Sequence, residues 1–194
     1  MMFSHFSLSV LDELSVSCSY STITNYSSTF QSVFCYLGDD IPLDSLFTRE
    51  RLVLYQSYLI GRSVCRNTIA FYMRVLRSLY YRAVRQGLVA HTDQLFSCVF
   101  TTDEPTIKRS LTVDLVRRIA TADLSDHSTL MFSRDLFLLS IYLQGMPFID
   151  LAHLRKSDLK NNRVLQYRRH KTKVEIIVGL DPRALALLDN LSSG

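Results

Sequence analysis

Glycine and proline are scarce in this chain, with 6 and 4 among 194 residues, which argues against disorder and against a barrel rich in β-turns. No apolar run approaches the roughly 20 residues that cross a bilayer. The first residues carry no basic region followed by an apolar one, so no signal peptide is expected. Hydrophobic residues make up 47% of the sequence, enough for a substantial core. These features predict a soluble, cytoplasmic protein with no membrane partner.

The four cysteines lie far apart, form no Cys-x-x-Cys pair and have no histidines at metal-ligand spacing. This pattern fits neither a zinc site nor a disulfide framework. We expect four free thiols, buried or half-buried, in a reducing compartment. We also predict no bound metal and no cofactor. The cysteines are Cys18, Cys35, Cys65 and Cys98.

Positive charge is concentrated in three parts of the chain. The formal net charge of +4 and an isoelectric point near 8.9 favour an acidic partner only weakly. The cations, however, are sparse in the first quarter of the sequence and cluster in residues 62–85, 108–118 and 155–173. No acidic residue occurs between Arg51 and Val89, so a helix in that region lacks the usual ion-pair partners one turn away.

The first half of the sequence predicts helices. Apolar residues recur at the three- to four-residue spacing of one helical face. Thr48 is a good N-terminal cap for the third helix, and Gly38 and Gly87 are suited to end the second and the fourth. The predicted helices span Phe3 to Ser17, Ile23 to Leu37, Arg49 to Leu59, and Asn67 or Thr68 to Gly87.

The fourth predicted helix has two distinct faces. At about 100° per residue, an apolar arc from Ile69 to Ala83 lies beside an arc of arginines. A helix of this kind can pack on a bundle and present guanidinium groups to phosphates or guanine edges. The alternative is an ordinary amphipathic helix whose polar face happens to be basic. The arginine arc consists of Arg66, Arg74, Arg77 and Arg85.

A polar break at residues 97–110 marks the predicted domain boundary. Beyond it, Thr112 is a suitable cap for the next helix. The helix from Ser133 to Leu143 is rich enough in apolar residues to predict nearly complete burial. Pro182 stands at a favourable early position of the last helix. The helical segments predicted here span Val113 to Thr121, Ser133 to Leu143, Ile149 to Leu154, and Arg183 to Leu191.

Two short β-rich runs, Val164 to Tyr167 and Val174 to Val178, predict an antiparallel hairpin or small meander. Four cations and a histidine stand at its tip, where burial would be costly and a phosphate backbone would be a natural partner. The alternative is a tip that simply faces water, as charge runs usually do. The cations are Arg168, Arg169, Lys171 and Lys173.

Six segments in this order resemble the tyrosine recombinases of the phage and conjugative-element integrase family, most closely a branch found in Bacteroidetes. The resemblance implies a helical, SAM-like core-binding domain at 1–100, a linker at 101–108 and part of an α+β catalytic domain at 109–194. The fold class is therefore mainly α with a small antiparallel hairpin or meander. The segments are Ser21–Tyr26, Arg66–Ile69 through Tyr80–Val84, Lys108–Thr112, Arg134–Phe137, Gly145–Leu151 and Tyr167–Thr172.

In this family a tyrosine attacks a DNA phosphodiester, two arginines stabilise charge on the phosphoryl oxygens, and a hairpin lysine protonates the departing 5′ oxygen. The resemblance places that lysine at Lys171, in a Lys-Thr pair after a strand. The first catalytic arginine has no counterpart, because Gln144 and Pro147 stand at the two positions where it would be expected. Arg134 and Arg155 are near in sequence but match no motif position.

The second arginine motif and the nucleophilic tyrosine are expected beyond the hairpin, and the chain ends at Gly194. We therefore expect this chain alone not to cleave DNA, whether it is a fragment or the product of a shortened gene. A further DNA-binding domain is expected to precede Met1 in a parent protein. Without the later helices, residues 136–143 and 185–191 are expected to expose apolar surface, and we expect either self-association or a rearranged second half.

Three functions remain open from the sequence. The first is the DNA-binding part of a recombinase in DNA integration, at the bacterial nucleoid, with double-stranded DNA and recombinase protomers (a tetramer in the family) as partners and no small-molecule substrate. The second is an inactive regulator of recombination, and the third is a helical protein-interaction domain. The residues predicted to contact DNA are Arg62, Arg66, Asn67, Thr68, Arg74, Arg77, Arg85, Lys108, Arg109, Arg168, Arg169 and Lys173.

Overall fold

The computed structural model describes residues 1–107, 110–161 and 163–192. The chain divides into two compact units, Met1–Ile107 and Lys108–Gly194, each with its own apolar core. The described ranges contain nine α-helices and one three-stranded antiparallel sheet. The predicted fold class, mainly helical with a small antiparallel sheet, is therefore confirmed.

The first unit consists of five helices. Thr48 caps the fourth, because its hydroxyl accepts the Arg51 N–H, as the sequence predicts. Ser19 caps the second and moves its start three residues ahead of the predicted one, and Gly38, at φ +75°, ends it. The third helix follows Pro42 and is too short for its periodicity to be seen in the sequence. The helices are α1 Phe3–Ser17, α2 Tyr20–Leu37, α3 Leu43–Leu46, α4 Arg49–Gly61 and α5 Arg66–Arg85.

The longest helix, α5, supplies much of the first unit's core. Aromatic residues of the other helices complete the core: the Phe3 ring of α1 lies edge-on to Phe30 of α2, with centroids 5.8 Å apart. Burying one such apolar side chain contributes about 1.5–3 kcal/mol, so this face fixes the orientation of α5. The buried residues of α5 are Ile69, Ala70, Met73, Val75, Leu76, Leu79, Tyr80 and Ala83.

In its described residues, the second unit combines four helices with the sheet. Thr112 caps its first helix as predicted, since the hydroxyl accepts the Leu115 N–H. The second helix begins at Ser128, five residues before the predicted start, and buries only Leu138 and Leu139. The prediction of a nearly fully buried helix is therefore wrong. The helices are α6 Val113–Ala120, α7 Ser128–Tyr142, α8 Phe148–Ala152 and α9 Pro182–Ser192, with a 3₁₀ turn at Lys156–Asp158.

The sheet is a meander in the order β1 (Leu159–Lys160), β2 (Val164–Arg168), β3 (Glu175–Gly179), with both neighbouring pairs antiparallel. Leu165 faces Val178 across β2 and β3, and both are buried. This pair packs with α7 and α9 in the second core. The register therefore sets which side chains reach the hairpin tip beyond Arg168 and Glu175.

Two sequence predictions about exposure are wrong. All four cysteines are free, but they are exposed rather than buried, because three lie at or beyond element ends and Cys35 lies on the outer face of α2. Within residues 136–143 and 185–191, Ile141 is the exposed large apolar side chain, since α9 packs its leucines against the second core. Other large apolar side chains of the unit are exposed instead, at Leu130, Met131, Phe132, Phe148, Ile149, Val174 and Ile177.

Within the described ranges, no helix combines the length and apolarity needed to cross a bilayer. The same ranges hold no group of three or more histidine, cysteine, aspartate or glutamate side chains placed to bind a metal ion.

Candidate nucleic-acid interface

The arginines of α5 lie along the side that the core leaves free. Arg66 and Arg85 are exposed, while Arg74 and Arg77 are half-buried beside the apolar face. Their position follows from helical geometry, because residues spaced by eight and eleven return to one side of the helix. The structure therefore brings together the four arginines that the sequence predicts on one arc.

Two of these arginines are held by carboxylates from a distant part of the chain. Arg66 Nη1 lies 2.8 Å from Glu104 Oε1, and Arg74 Nη1 lies 2.8 Å from Asp103 Oδ1. The Arg66 guanidinium also lies over the Phe100 ring, 4.1 Å from its centroid. Part of the predicted cationic surface is thus neutralised by the protein itself.

The other two arginines of the arc are available. Neither Arg77 nor Arg85 makes an ion pair or a side-chain hydrogen bond with the part of the chain that the structure describes. Arg82 lies off the arc and pairs with Glu13 at 2.8 Å. Nearby, Arg62 is exposed and donates a hydrogen bond of 2.8 Å to the Tyr58 hydroxyl. Arg77 and Arg85 are therefore the arc's two uncompensated charges.

Asn67 and Thr68, both predicted DNA contacts, have partners in the protein. Asn67 clamps the Glu104 backbone: its Nδ2 donates to the carbonyl at 3.1 Å and its Oδ1 accepts the N–H at 2.8 Å. Thr68 Oγ1 lies 3.0 Å from the Cys65 sulfur, and this hydrogen bond lowers the pKa of the Cys65 thiol. Lys108 and Arg109, predicted to contact DNA from the linker, lie outside the described residues.

In the second unit, the hairpin tip is a closed turn with exposed cations. The Arg169 N–H donates to the Val174 carbonyl and the Lys173 N–H to the Arg169 carbonyl, both at 2.8 Å. Lys173 has φ +58°, in the left-handed region that closes the turn. The four cations of the tip and His170 are all exposed. The fold thus presents Lys171 and its neighbours to solvent on a defined turn.

Asp150, a residue to which the sequence reasoning gave no role, anchors this tip. Its Oδ1 accepts the His170 N–H at 2.8 Å, while its buried Oδ2 has no hydrogen-bond partner in the described ranges. Oδ2 lies 3.9 Å from Arg169 Nε. The bond ties α8 to the turn that carries Lys171. One signal was present in the sequence: an acidic residue in the short apolar segment after Pro147.

The positions of the missing first arginine lie just before α8. Gln144, at φ +59°, and Gly145, at φ +78°, form the turn that ends at Pro147. Arg134 is committed elsewhere, to Asp135 at 3.0 Å and to the Ala122 carbonyl at 3.0 Å. No arginine therefore lies in this turn, and Arg134, the nearest arginine before it in the sequence, is bonded to Asp135 and to the Ala122 carbonyl instead.

Tyr167 is the tyrosine closest in sequence to the tip. It is half-buried in β2, and burial together with the negative charge of Asp150 raises its pKa. Its phenol therefore stays protonated at neutral pH. Tyr167 is thus a half-buried residue of the sheet beside the tip.

Residues 2–95 match the family of the phage integrase SAM-like domain. The first unit is therefore similar to a phage integrase SAM-like domain. This match and the fold of the whole chain confirm the resemblance to the tyrosine recombinases. The Bacteroidetes branch stays a prediction. No curated protein matches the chain.

Solved integrase structures share the fold of this SAM-like domain and of the unit that follows it. A lambda integrase (residues 75–356) dimer bound to a COC′ core site is 20% identical, with a TM-score of 0.77, over 100% of this chain and 66% of that one. A lambda integrase tetramer bound to a Holliday junction is 21% identical, with a TM-score of 0.73, over 97% and 53%.

The Tn1549 transposon integrase (residues 82–397), in complex with circular intermediate DNA, is 14% identical with a TM-score of 0.69, over 100% of this chain and 65% of that one. The chain thus spans between about half and two thirds of the length of these integrase chains.

Proposed function

We propose that this chain is the DNA-binding portion of a site-specific tyrosine recombinase that acts on double-stranded DNA in mobile-element integration. The observation that carries the proposal is the arginine arc of α5, with Arg77 and Arg85 uncompensated beside a buried apolar face. Guanidinium groups in a row on a rigid helix suit phosphates and guanine edges. A role on the bacterial chromosome would place the protein at the nucleoid.

The hairpin tip supplies a second basic surface. Arg168, Arg169 and Lys173 surround Lys171 on an exposed turn, and a run of like charges of this kind is stabilised by a nearby polyanion. In this proposal Lys171 donates a proton to the 5′ oxygen that leaves the phosphodiester. The Asp150 bond to the His170 N–H positions the turn for that role.

Chemistry by this chain alone is not part of the proposal. Positive groups aimed at the phosphoryl oxygens supply most of the rate in such transfers. The turn at Gln144–Pro147 offers none, which favours a second candidate function: a regulator that occupies recombination sites or pairs with a complete recombinase. Neither candidate cleaves DNA alone, so the second is tested by adding this chain to a complete recombinase in a supercoiled-plasmid nicking assay, where a regulator should reduce nicking.

Fluorescence anisotropy with a labelled DNA duplex tests DNA binding directly. Arg77→Gln with Arg85→Gln removes the two uncompensated charges and should weaken binding by about tenfold or more at low salt, because two phosphate contacts are lost. The matched control is Arg49→Gln with Arg82→Gln, which removes the same charge from groups bound to the Asp93 carbonyl and to Glu13. Equal affinities for the two double variants would count against an α5 interface.

A further inference from the structure

We propose that residues 100–104, the acidic strap, compete with DNA for the arginine arc of α5. The strap holds Arg66 and Arg74 through Glu104 and Asp103, and a duplex must displace these carboxylates to reach both guanidinium groups. This inference rests on the proposed DNA-binding function. It assigns the strap a regulatory role: it sets how much of the arc's charge is available.

The strap is seated by specific contacts at both ends. At its start, the Phe100 N–H donates to Gln56 Oε1 at 2.7 Å, and the Phe100 ring lies under the Arg66 guanidinium. At its end, Asn67 makes the two-way clamp on the Glu104 backbone. The strap is therefore a built feature of the first unit and not a loose segment that happens to carry charge.

Between these ends, the acidic side chains face the arc. Arg74 donates to the Thr101 carbonyl at 3.3 Å as well as to the Asp103 carboxylate. Each arginine is thus bound by the strap through two contacts, one of them with a carboxylate. The four arginines of the arc carry four positive charges, and the two bound carboxylates carry two negative charges. The net charge of the arc is therefore +2 in this arrangement.

Partial exposure makes the ion pairs displaceable. The side chains of Arg66 and Glu104 are 44% and 54% exposed, and those of Arg74 and Asp103 are 33% and 56% exposed. Ion pairs in such surroundings are weak, because water and salt screen them. A phosphate backbone, with one charge about every 1.7 Å of duplex axis, is a stronger competitor. DNA would therefore displace the strap, but the competition would lower the affinity of the chain for weakly binding DNA sites.

The direct test is Asp103→Asn with Glu104→Gln in the full chain, assayed by anisotropy with a labelled duplex. Both substitutions keep the shape of the side chain and remove its charge. We expect binding about three- to tenfold tighter at moderate salt, since two exposed pairs no longer compete. The plot of log affinity against log salt should become steeper, because in the unmodified chain salt also weakens the strap's own ion pairs and so offsets part of its effect on DNA binding.

A matched control separates the effect of the strap on DNA binding from the effect of net charge. Asp12→Asn with Asp39→Asn removes two exposed carboxylates of the same unit that make no side-chain hydrogen bond or ion pair with the residues described. A gain no larger than in this control would overturn the inference, as would looser binding. Asp103→Asn and Glu104→Gln singly should each give part of the gain, which guards against misfolding of the double variant.

The decisive arm repeats the strap variant in an Arg66→Gln, Arg74→Gln background. If the strap acts by masking these two arginines, its removal gives no gain there. A gain in this background that exceeds the gain of the Asp12→Asn, Asp39→Asn control contradicts the masking. Loss of binding by every chain, the unmodified protein included, would defeat the proposed function itself. If the unmodified chain binds DNA but the strap variant gains no more affinity than the control, only the inference about the strap is contradicted.

Discussion

The backbone N–H of His170 donates to the buried Asp150 carboxylate over 2.8 Å, and this bond joins α8 to the hairpin tip. Lys171 is the next residue along the turn. The Asp150 side chain thereby links α8, which follows the turn at Gln144–Pro147, to the turn that carries Lys171. The bond thus fixes the turn that carries Lys171 next to α8, while the turn before α8 carries no arginine.

Asp150→Ala should loosen the link between α8 and the hairpin tip. The His170 N–H loses its acceptor, and a lost hydrogen bond to a charged group costs about 1.5–3 kcal/mol in the free energy of unfolding. Hydrogen exchange should show faster exchange of the His170 amide, with the amides of α5 unchanged. Asp126→Ala, at an exposed position, is the control. Unchanged His170 exchange in Asp150→Ala would remove the anchoring role.

Cys65 should be the most reactive of the four thiols. All four are exposed, but the hydrogen bond from Thr68 lowers the pKa of Cys65, so more of it is thiolate at neutral pH. Iodoacetamide labelling followed by peptide mass spectrometry measures the four rates. Thr68→Val should slow Cys65 towards the rate of Cys35, because the hydrogen bond that lowers the pKa of Cys65 is lost. Equal rates at neutral pH would contradict this assignment.

The exposed apolar side chains of the second unit should cause association. Phe132, Phe148 and Ile177 are 53%, 67% and 65% exposed, and apolar area of this size favours contact with another surface. Sedimentation velocity should show mass rising with protein concentration. Phe132→Ser with Phe148→Ser should reduce it, whereas Leu54→Ser with Ile60→Ser, exposed in the first unit, should not. A monomer at every concentration would contradict the prediction.

Much of the first unit could be predicted from local signals. The α1 bounds, Phe3–Ser17, and the Thr48 cap of α4 follow from apolar periodicity and cap chemistry, which act within a few residues. The four residues of α3 show no period, so the sequence could not reveal it. The early start of α7 was missed because the N-cap, His127, makes no side-chain capping bond.

The fate of the arginines could not be predicted, because it depends on contacts between distant residues. Within the helix no acidic partner lies one turn away, yet Asp103 reaches Arg74 from 29 residues along the chain, and Glu13 reaches Arg82 from 69. Asp150 was missed for the same reason, since its partner His170 lies 20 residues later. The spacing of residues in the sequence predicts which side chains share one face of a helix. It does not predict which distant residues bind to that face.

The central claim is that the uncompensated arginines of α5 neutralise DNA phosphates. The measurement that tests it most directly is the slope of log affinity for a DNA duplex against log salt, for the unmodified chain and for Arg77→Gln with Arg85→Gln. Affinity of the unmodified chain should fall steeply with salt, and the slope of the variant should be shallower by about 1.8, or 0.9 for each lost contact. A flat dependence in the unmodified chain, or the same slope in both proteins, would contradict the claim.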